Sequence, residues 1–469
     1  MISGKRILVI TDRYPPFAEG GAEISLHILL KQIVDANNQV AVITLNEQLG
    51  KVEKANYQGV EVFKVPYSSR WPTVRSNSIK RRRTFFASRH VYLLMDGAKY
   101  IFSDFNYASI SKRLRKLRLA LSLKRSRKIG FLPIMDEEIS DVKETLANIK
   151  KIASSFNPQL VHADNFRSIL LASRIDFGVP VVAQVRDNRF YCIHRSQSMN
   201  IDGRICNTCN FECAQSLSDS CRKLVKRQLF EDKKFRQAAL RKADKVIVTS
   251  RFLQQQVEEI VPAEKMCLVP NPAGEYDLAA RQVVYQASPP EILIVGMLNA
   301  NKGQLEIIKW LEKLDAELPD FKITLAGRGD NVEKSLRRSL AMTGHADRVA
   351  FTGYLSREEL YRAYARATVV ACPNKWPEPF GRVPLEAGIS KKPVVAYAVG
   401  GIVESIAHGQ TGLLVPPGDT EGFIDAIIKI IKNPHFAENL GIRARENILQ
   451  KYSQEMSVKC LSDCWESVS

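Results

Sequence analysis

Ala367-Thr-Val-Val-Ala-Cys372, followed by Pro373-Asn-Lys-Trp-Pro-Glu-Pro-Phe-Gly-Arg-Val-Pro-Leu-Glu386, reads as a strand, a loop and a helix in succession. The β-branched Thr368, Val369 and Val370 and the bounding Pro373 predict a buried strand. Pro, Trp and Gly then make a loop. A helix is expected from about Arg382, with Pro384 tolerated in its first turn and Leu385, Glu386 and Ala387 carrying it on. Glu378 therefore falls on the loop and Glu386 about one turn into the helix. Free N–H groups of Phe380, Gly381, Arg382 and Val383 at such a helix start attract an anion such as a diphosphate, while the two flanking carboxylates accept hydrogen bonds from hydroxyls. An anion with a polyol at either end is the outline of a nucleotide sugar. Two glutamates eight residues apart also fit one solvated helix face, so the rest of the chain has to decide.

Outward from this stretch the same alternation recurs. Ile292–Val295, Phe321–Leu325, Val349–Phe351, Val394–Ala396 and Leu413–Val415 are short apolar runs at α/β spacing, which predicts a parallel sheet covered on both faces. A second set occupies the first half: Ile7–Ile10, Val40–Leu45, Val60–Val65, Leu160–His162, Val179–Val185 and Lys245–Thr249. The first of these runs into a loop ending Gly20-Gly21-Ala22-Glu23 and then a helical pattern, the opening of a doubly wound unit whose glycines admit a close ligand. Pro270-Asn271-Pro272 through Ser288-Pro289-Pro290 is the natural linker. The expected organisation is α/β, two doubly wound Rossmann-like domains facing a central cleft. Residues 1–285 form the N-terminal, acceptor-binding domain and 286–450 the C-terminal domain. The amphipathic pattern of 451–469 predicts a C-terminal helix packing back on the N-terminal domain. A length of 469 residues fits two hydrophobic cores better than one.

Composition narrows the class further. The formal net charge is +18, and 17 Lys or Arg against two acids lie between Arg70 and Lys128. Lys80-Arg-Arg-Arg83 and Lys112–Lys128 are interleaved with leucines three or four apart, the pattern of a basic amphipathic helix suited to an anionic membrane surface. A solvated basic face and a nucleic-acid patch are the alternatives, but no nucleic-acid-binding motif accompanies the charge, and no nucleic-acid partner is expected. No run of about 18 apolar residues occurs, and the N-terminal apolar run is too short for a signal peptide, so the expected location is the cytoplasm, peripheral at the inner face of the membrane. Five of the nine cysteines lie in a second insertion, about residues 190–221. Cys192, Cys206, Cys209 and Cys213 suit a structural zinc, though the spacing is irregular, and reduced thiols or a redox pair stay open.

In the second half, Val295-Gly296, Lys302-Gly303, Leu325-Ala-Gly-Arg-Gly329, Phe351-Thr-Gly353, Glu378–Glu386, Lys392-Pro-Val-Val395, Gly400-Gly401 and Gly409-Gln-Thr-Gly-Leu-Leu-Val415 fall in one order. This series resembles the family 4 retaining glycosyltransferases (glycosyl transferases group 1), which have the GT-B fold, and Gly20–Glu23 resembles that family's N-terminal signature. The resemblance implies a donor site of Gly21, Gly296, Lys302, Arg328, Glu378, Phe380, Gly381, Arg382, Val383 and Glu386. Within it Glu386 would take the ribose hydroxyls, Glu378 the hydroxyls of the transferred sugar, and Lys302 with the helix amides the diphosphate. Glu378 and Lys302 are the implied catalytic residues, transfer retains the anomeric configuration, and no metal or other cofactor is implied for catalysis. The implied partners are a UDP, GDP or ADP sugar and a glycan or lipid-linked acceptor, with Gly20, His162, Arg186 and Asp187 as acceptor-side candidates. The sequence departs from the family at Met297, where an arginine usually partners the lysine on the diphosphate. It departs again at Arg186, where many members carry His, and a guanidinium cannot act as a base at neutral pH. A nucleotide-sugar epimerase of the same fold and a degenerate, non-catalytic transferase are the alternatives.

Overall fold

The computed structural model describes residues 2–16, 20–47, 49–67, 142–192, 233–274 and 288–468. The basic segment 70–128 and Cys206, Cys209 and Cys213 lie outside them.

The N-terminal sheet has eight strands: β1 (Arg6–Thr11), β2 (Gln39–Asn46), β3 (Glu53–Tyr57), β4 (Val60–Pro66), β5 (Leu160–Asp164), β6 (Val181–Gln184), β7 (Lys245–Val248) and β8 (Met266–Leu268). Their order is β3-β4-β2-β1-β5-β6-β7-β8, parallel except for β3, which pairs antiparallel with β4. The sequence pattern misses β3 and β8. Glu53–Tyr57 is a half-exposed edge strand with a polar sequence that carries no apolar run, and Met266–Leu268 is apolar but only three residues long, too short to stand out as a strand. The central strands are apolar on both faces because both faces are covered. In β1, Ile7 and Val9 pack on one side with α1 (Gly21–Asp35), while Leu8 and Ile10 pack on the other with α2 (Lys143–Phe156) and α3 (Phe166–Ala172). Helix α4 (Arg251–Glu258) follows β7.

The second sheet comprises β9 (Glu291–Val295), β10 (Lys322–Ala326), β11 (Val349–Gly353), β12 (Val369–Cys372), β13 (Val394–Tyr397) and β14 (Leu413–Val415). The order is β11-β10-β9-β12-β13-β14, all parallel. The order of winding therefore reverses between β9 and β12, a topological switch point of the kind at whose carboxyl-end crevice α/β sheets bind their ligands, and here the loops leaving the two strands touch, Lys375 N donating to the Asn301 carbonyl at 2.8 Å. The helices are α5 (Ile307–Glu317), α6 (Asp330–Thr343), α7 (Arg357–Arg366), α8 (Arg382–Ile389), α9 (Ile402–Ser405), α10 (Thr420–Lys432) and α11 (Pro434–Tyr452). The last helix, α12 (Gln454–Glu466), leaves this domain and packs on α1 and β8, burying Val458, Leu461 and Trp465 in the N-terminal core. Among the described residues no helix is long and apolar enough to cross a membrane.

Candidate active site

The crevice between β9 and β12 is lined by the two loops that the motifs occupy. β9 ends at Val295 and runs through Gly296 and the exposed Met297 into a 3-10 turn, Ala300–Lys302. Asn299 caps that turn by accepting from the amides of Asn301 (3.1 Å) and Lys302 (3.0 Å), which fixes the direction of Lys302. Its ammonium contacts Glu378 Oε1 from the β12 loop and lies 5.7 Å from the Trp376 ring. Asn374 Nδ2 donates to the same oxygen at 2.5 Å. Burial pushes the Lys302 ammonium down to about 8, with Cys372 pulling weakly the other way, so the group is mostly charged at pH 7. The Glu378 loop is pinned from behind: Gly401 N donates to the Glu378 carbonyl at 2.7 Å.

Helix α8 starts after Gly381, whose φ of +92° suits glycine, and no side chain caps its first amides. Phe380 is buried edge-on against Tyr452, and Val383 packs on the C-terminal core. One turn into the helix, Glu386 is 8% exposed, and both its oxygens are engaged. Oε1 accepts from Arg382 Nε (3.1 Å) and Nη2 (2.8 Å), and Oε2 accepts from the Tyr364 hydroxyl (3.0 Å). Burial and the adjacent carboxylate hold Tyr364 well above its ordinary value, so it remains a donor. Arg382 then crosses to the other domain. Its Nη1 donates to the Gly21 carbonyl (3.3 Å) and to Ser25 Oγ on α1. Further bridges between the domains among the described residues include Ser250 Oγ, which donates to the Pro379 carbonyl, and Glu404, which accepts from the amides of Arg251 (3.0 Å) and Phe252 (2.8 Å) at the start of α4. Arg328, in the turn after β10, stacks over Tyr354 at 5.1 Å and touches none of these groups.

On the N-terminal side, Gly20 precedes α1. Arg186 follows β6 and is held by Asp164 Oδ1 and Asn271 Oδ1, each at 2.7 Å. Arg186 and Asp164 side chains are 4% and 2% exposed, and Arg186 Nη2 is buried without a partner among the described residues. Burial raises the Asp12, Glu23 and Asp164 carboxyls above their ordinary range. Asp187 instead caps the turn that follows it and pairs with Arg189.

His162 does not stand at the strand end where the apolar run Leu160–His162 places it. Strand β5 continues two residues past it, so the histidine lies mid-strand on the face that α12 covers. It is fully buried, accepting from Trp465 Nε1 on Nδ1 (3.2 Å) and bonded through Nε2 to Gln184 Oε1 (3.1 Å). Because the indole is a donor only, the imidazole is the neutral Nε2–H form, and burial pushes its pKa down to about 3. The residue at the strand end is Asp164. Its signal was available as a carboxylate directly after an apolar strand, at the edge where α/β ligands bind. Cys192 is buried in the N-terminal core as a free thiol, and the described residues contain no cluster able to hold a metal.

The family model described as glycosyl transferase 4-like domain matches residues 20–272, more than half of the chain, and the model described as glycosyl transferases group 1 matches 279–447. The chain belongs to the family 4 type of group 1 glycosyltransferases. An uncharacterized glycosyltransferase of Methanocaldococcus jannaschii is 29% identical to this group 1 chain over 227 residues, 46% of this chain and 57% of that one. The α-D-kanosaminyltransferase of Streptomyces kanamyceticus is 27% identical over 294 residues, covering 60% and 69%. With the glycogen synthase of Mycobacterium tuberculosis at 51% of its own length, the chain spans about half the length of the first curated relatives it matches. Sucrose-phosphate synthase from Thermosynechococcus elongatus superimposes with a TM-score of 0.66 at 20% identity, covering 99% of this chain and 98% of that one. The Anabaena protein HepE in complex with UDP does so at 0.63 and 17%, covering 98% and 100%. These two give the group 1 chain its fold, GT-B.

Proposed function

We propose that the crevice between β9 and β12 binds a nucleotide-diphosphate sugar and that the chain transfers the sugar, with retention and without a metal, to a hydroxyl of a glycan or lipid-linked acceptor. One observation carries the reading: an uncapped helix start at a topological switch point lies between two carboxylates, each with a cation in contact. Phosphate oxygens suit the amides of α8 together with Lys302. Glu386, buried beside Tyr364, suits the ribose hydroxyls, and Glu378 the hydroxyls of the sugar. As the bond to the anomeric carbon breaks, negative charge collects on the departing diphosphate, and a preorganised ammonium beside it lowers the barrier. One such group is typically worth about 10²–10³ in rate. The Anabaena neighbour was solved with UDP and with UDP-glucose, which supports a nucleotide sugar as the donor class.

The acceptor would enter from the N-terminal side, past Gly20, Arg186 and Asp187, and the basic segment 70–128 would bring the enzyme to anionic lipid at the cytoplasmic face. Two assays test the proposal. Transfer assays with UDP, GDP and ADP sugars should give product from one donor class, with the anomeric configuration kept and unaffected by EDTA. Vesicles containing phosphatidylserine should sediment the full chain, and neutralising Lys80–Arg83 should reduce this. No turnover with any donor would defeat the enzymatic claim, and no sedimentation would defeat the membrane claim.

A further inference from the structure

Each carboxylate assigned to a donor hydroxyl is already taken, and in each case the occupant is a cation suited to phosphate. Glu378 is held by Lys302, and Glu386 by two nitrogens of Arg382. All three guanidinium nitrogens of Arg382 are in use, the third on Gly21 and Ser25 of the opposite domain. The fit is tight: a Cβ on Gly21 would lie 2.6 Å from Arg382 Cδ. A sugar or ribose hydroxyl arriving alone must compete with charge-assisted hydrogen bonds and leave a largely buried cation unpaired. A diphosphate faces no such obstacle. It offers the guanidinium a bidentate anion of higher charge than a carboxylate, and it offers Lys302 a second one.

We propose that donor binding is an ion exchange, in which the diphosphate takes Arg382 and Lys302 and thereby releases Glu386 and Glu378 to accept the hydroxyls. Arg382 then supplies the guanidinium absent at Met297. This rests on the crevice being the donor site, and it adds that the phosphates are the key without which the nucleoside is not read. The two parts of the ligand are positively coupled: phosphate strengthens nucleoside binding because it unlocks the nucleoside's acceptor. Tyr364, which stays on Glu386 Oε2, keeps that carboxylate in place through the exchange.

The test is calorimetric, on the full chain, with UDP, GDP and ADP, their nucleosides, and pyrophosphate. For the diphosphate that binds, the matching nucleoside should bind at least a hundredfold more weakly, and saturating pyrophosphate should improve nucleoside affinity at least tenfold. That measurement needs no variant. Arg382→Met should lower diphosphate affinity at least tenfold while leaving nucleoside affinity unchanged or higher, so the ratio between the two collapses. Absence of coupling in the wild type overturns the exchange, and so does an equal loss of both ligands in Arg382→Met, the signature of a merely structural arginine. If none of the three diphosphates binds the wild type, the crevice is not a donor site and the exchange falls with it.

Discussion

Gly400→Ala should damage the protein in two measurable ways. Gly400 has φ +54°, a left-handed conformation that costs a residue with a Cβ about 1–2 kcal/mol. The added Cβ would also lie 2.3 Å from the Glu378 carbonyl oxygen and 2.7 Å from its nitrogen, backbone atoms that cannot rotate aside. Overpacking of that kind adds about 1–3 kcal/mol. The sum is about 3 kcal/mol, or a fall in melting temperature of roughly 10 °C at roughly 2–4 °C per kcal/mol. Gly344, at the end of α6, is the matched control: φ is +75°, and nothing lies within 4 Å of its Cβ position. Gly344→Ala carries the strain alone and should cost about 1 kcal/mol, roughly 3 °C. Differential scanning calorimetry of both variants separates strain from contact. Because the contact is with Glu378, a shift of its loop by about 1 Å should also lower transfer about 10²-fold in Gly400→Ala only. Equal melting temperatures in the two variants would show that Gly400 is not wedged against the Glu378 loop.

Three further outcomes are expected. Lys302 is charged below about pH 8 and neutral above it, so diphosphate affinity should fall as pH rises from 7.5 to 9.5, and Lys302→Arg should flatten that decline because a guanidinium does not titrate there; a flat wild-type profile would remove Lys302 from the phosphate site. His162 is neutral when folded down to about pH 3 but takes a proton near 6.5 when unfolded, so stability present above 6.5 is lost as pH falls toward 3, by up to about 1.4 kcal/mol per pH unit. Urea titrations at pH 7 and 4.5 should show that loss shrinking in His162→Gln, and an unchanged pH dependence would count against burial of the imidazole. Glu404→Ala removes the carboxylate at the first amides of α4 and should cost about 1 kcal/mol in a urea titration; no loss would mean that the inter-domain cap contributes nothing in solution.

Much of the fold was legible in the chain because the buried parallel strands write themselves as β-branched apolar runs, and the loops leaving them carry the glycines. The six strands of the second sheet follow that rule, and so does the strand, loop and helix from Thr368 to Glu386. Edge strands obey a different rule. Glu53–Tyr57 has one side in water and a neighbour on only one edge, so charge and polarity are tolerated and no apolar signal is left. The site was legible as residue types and illegible as pairings. Nothing in local sequence links Arg382 to Ser25, 357 positions away, or His162 to Trp465, 303 away. The histidine looked like a cleft residue because it ends the apolar run. It is a core residue because the helix that covers it arrives from the far end of the chain.

The measurement closest to the centre of this picture is donor binding at Glu386. Titrated calorimetrically with UDP, GDP and ADP and with their glucose conjugates, the full chain should bind one nucleotide class, and Glu386→Ala should weaken that binding at least tenfold. Binding of none of them, or a Glu386→Ala variant with wild-type affinity, would contradict the placement of the nucleotide at the start of α8.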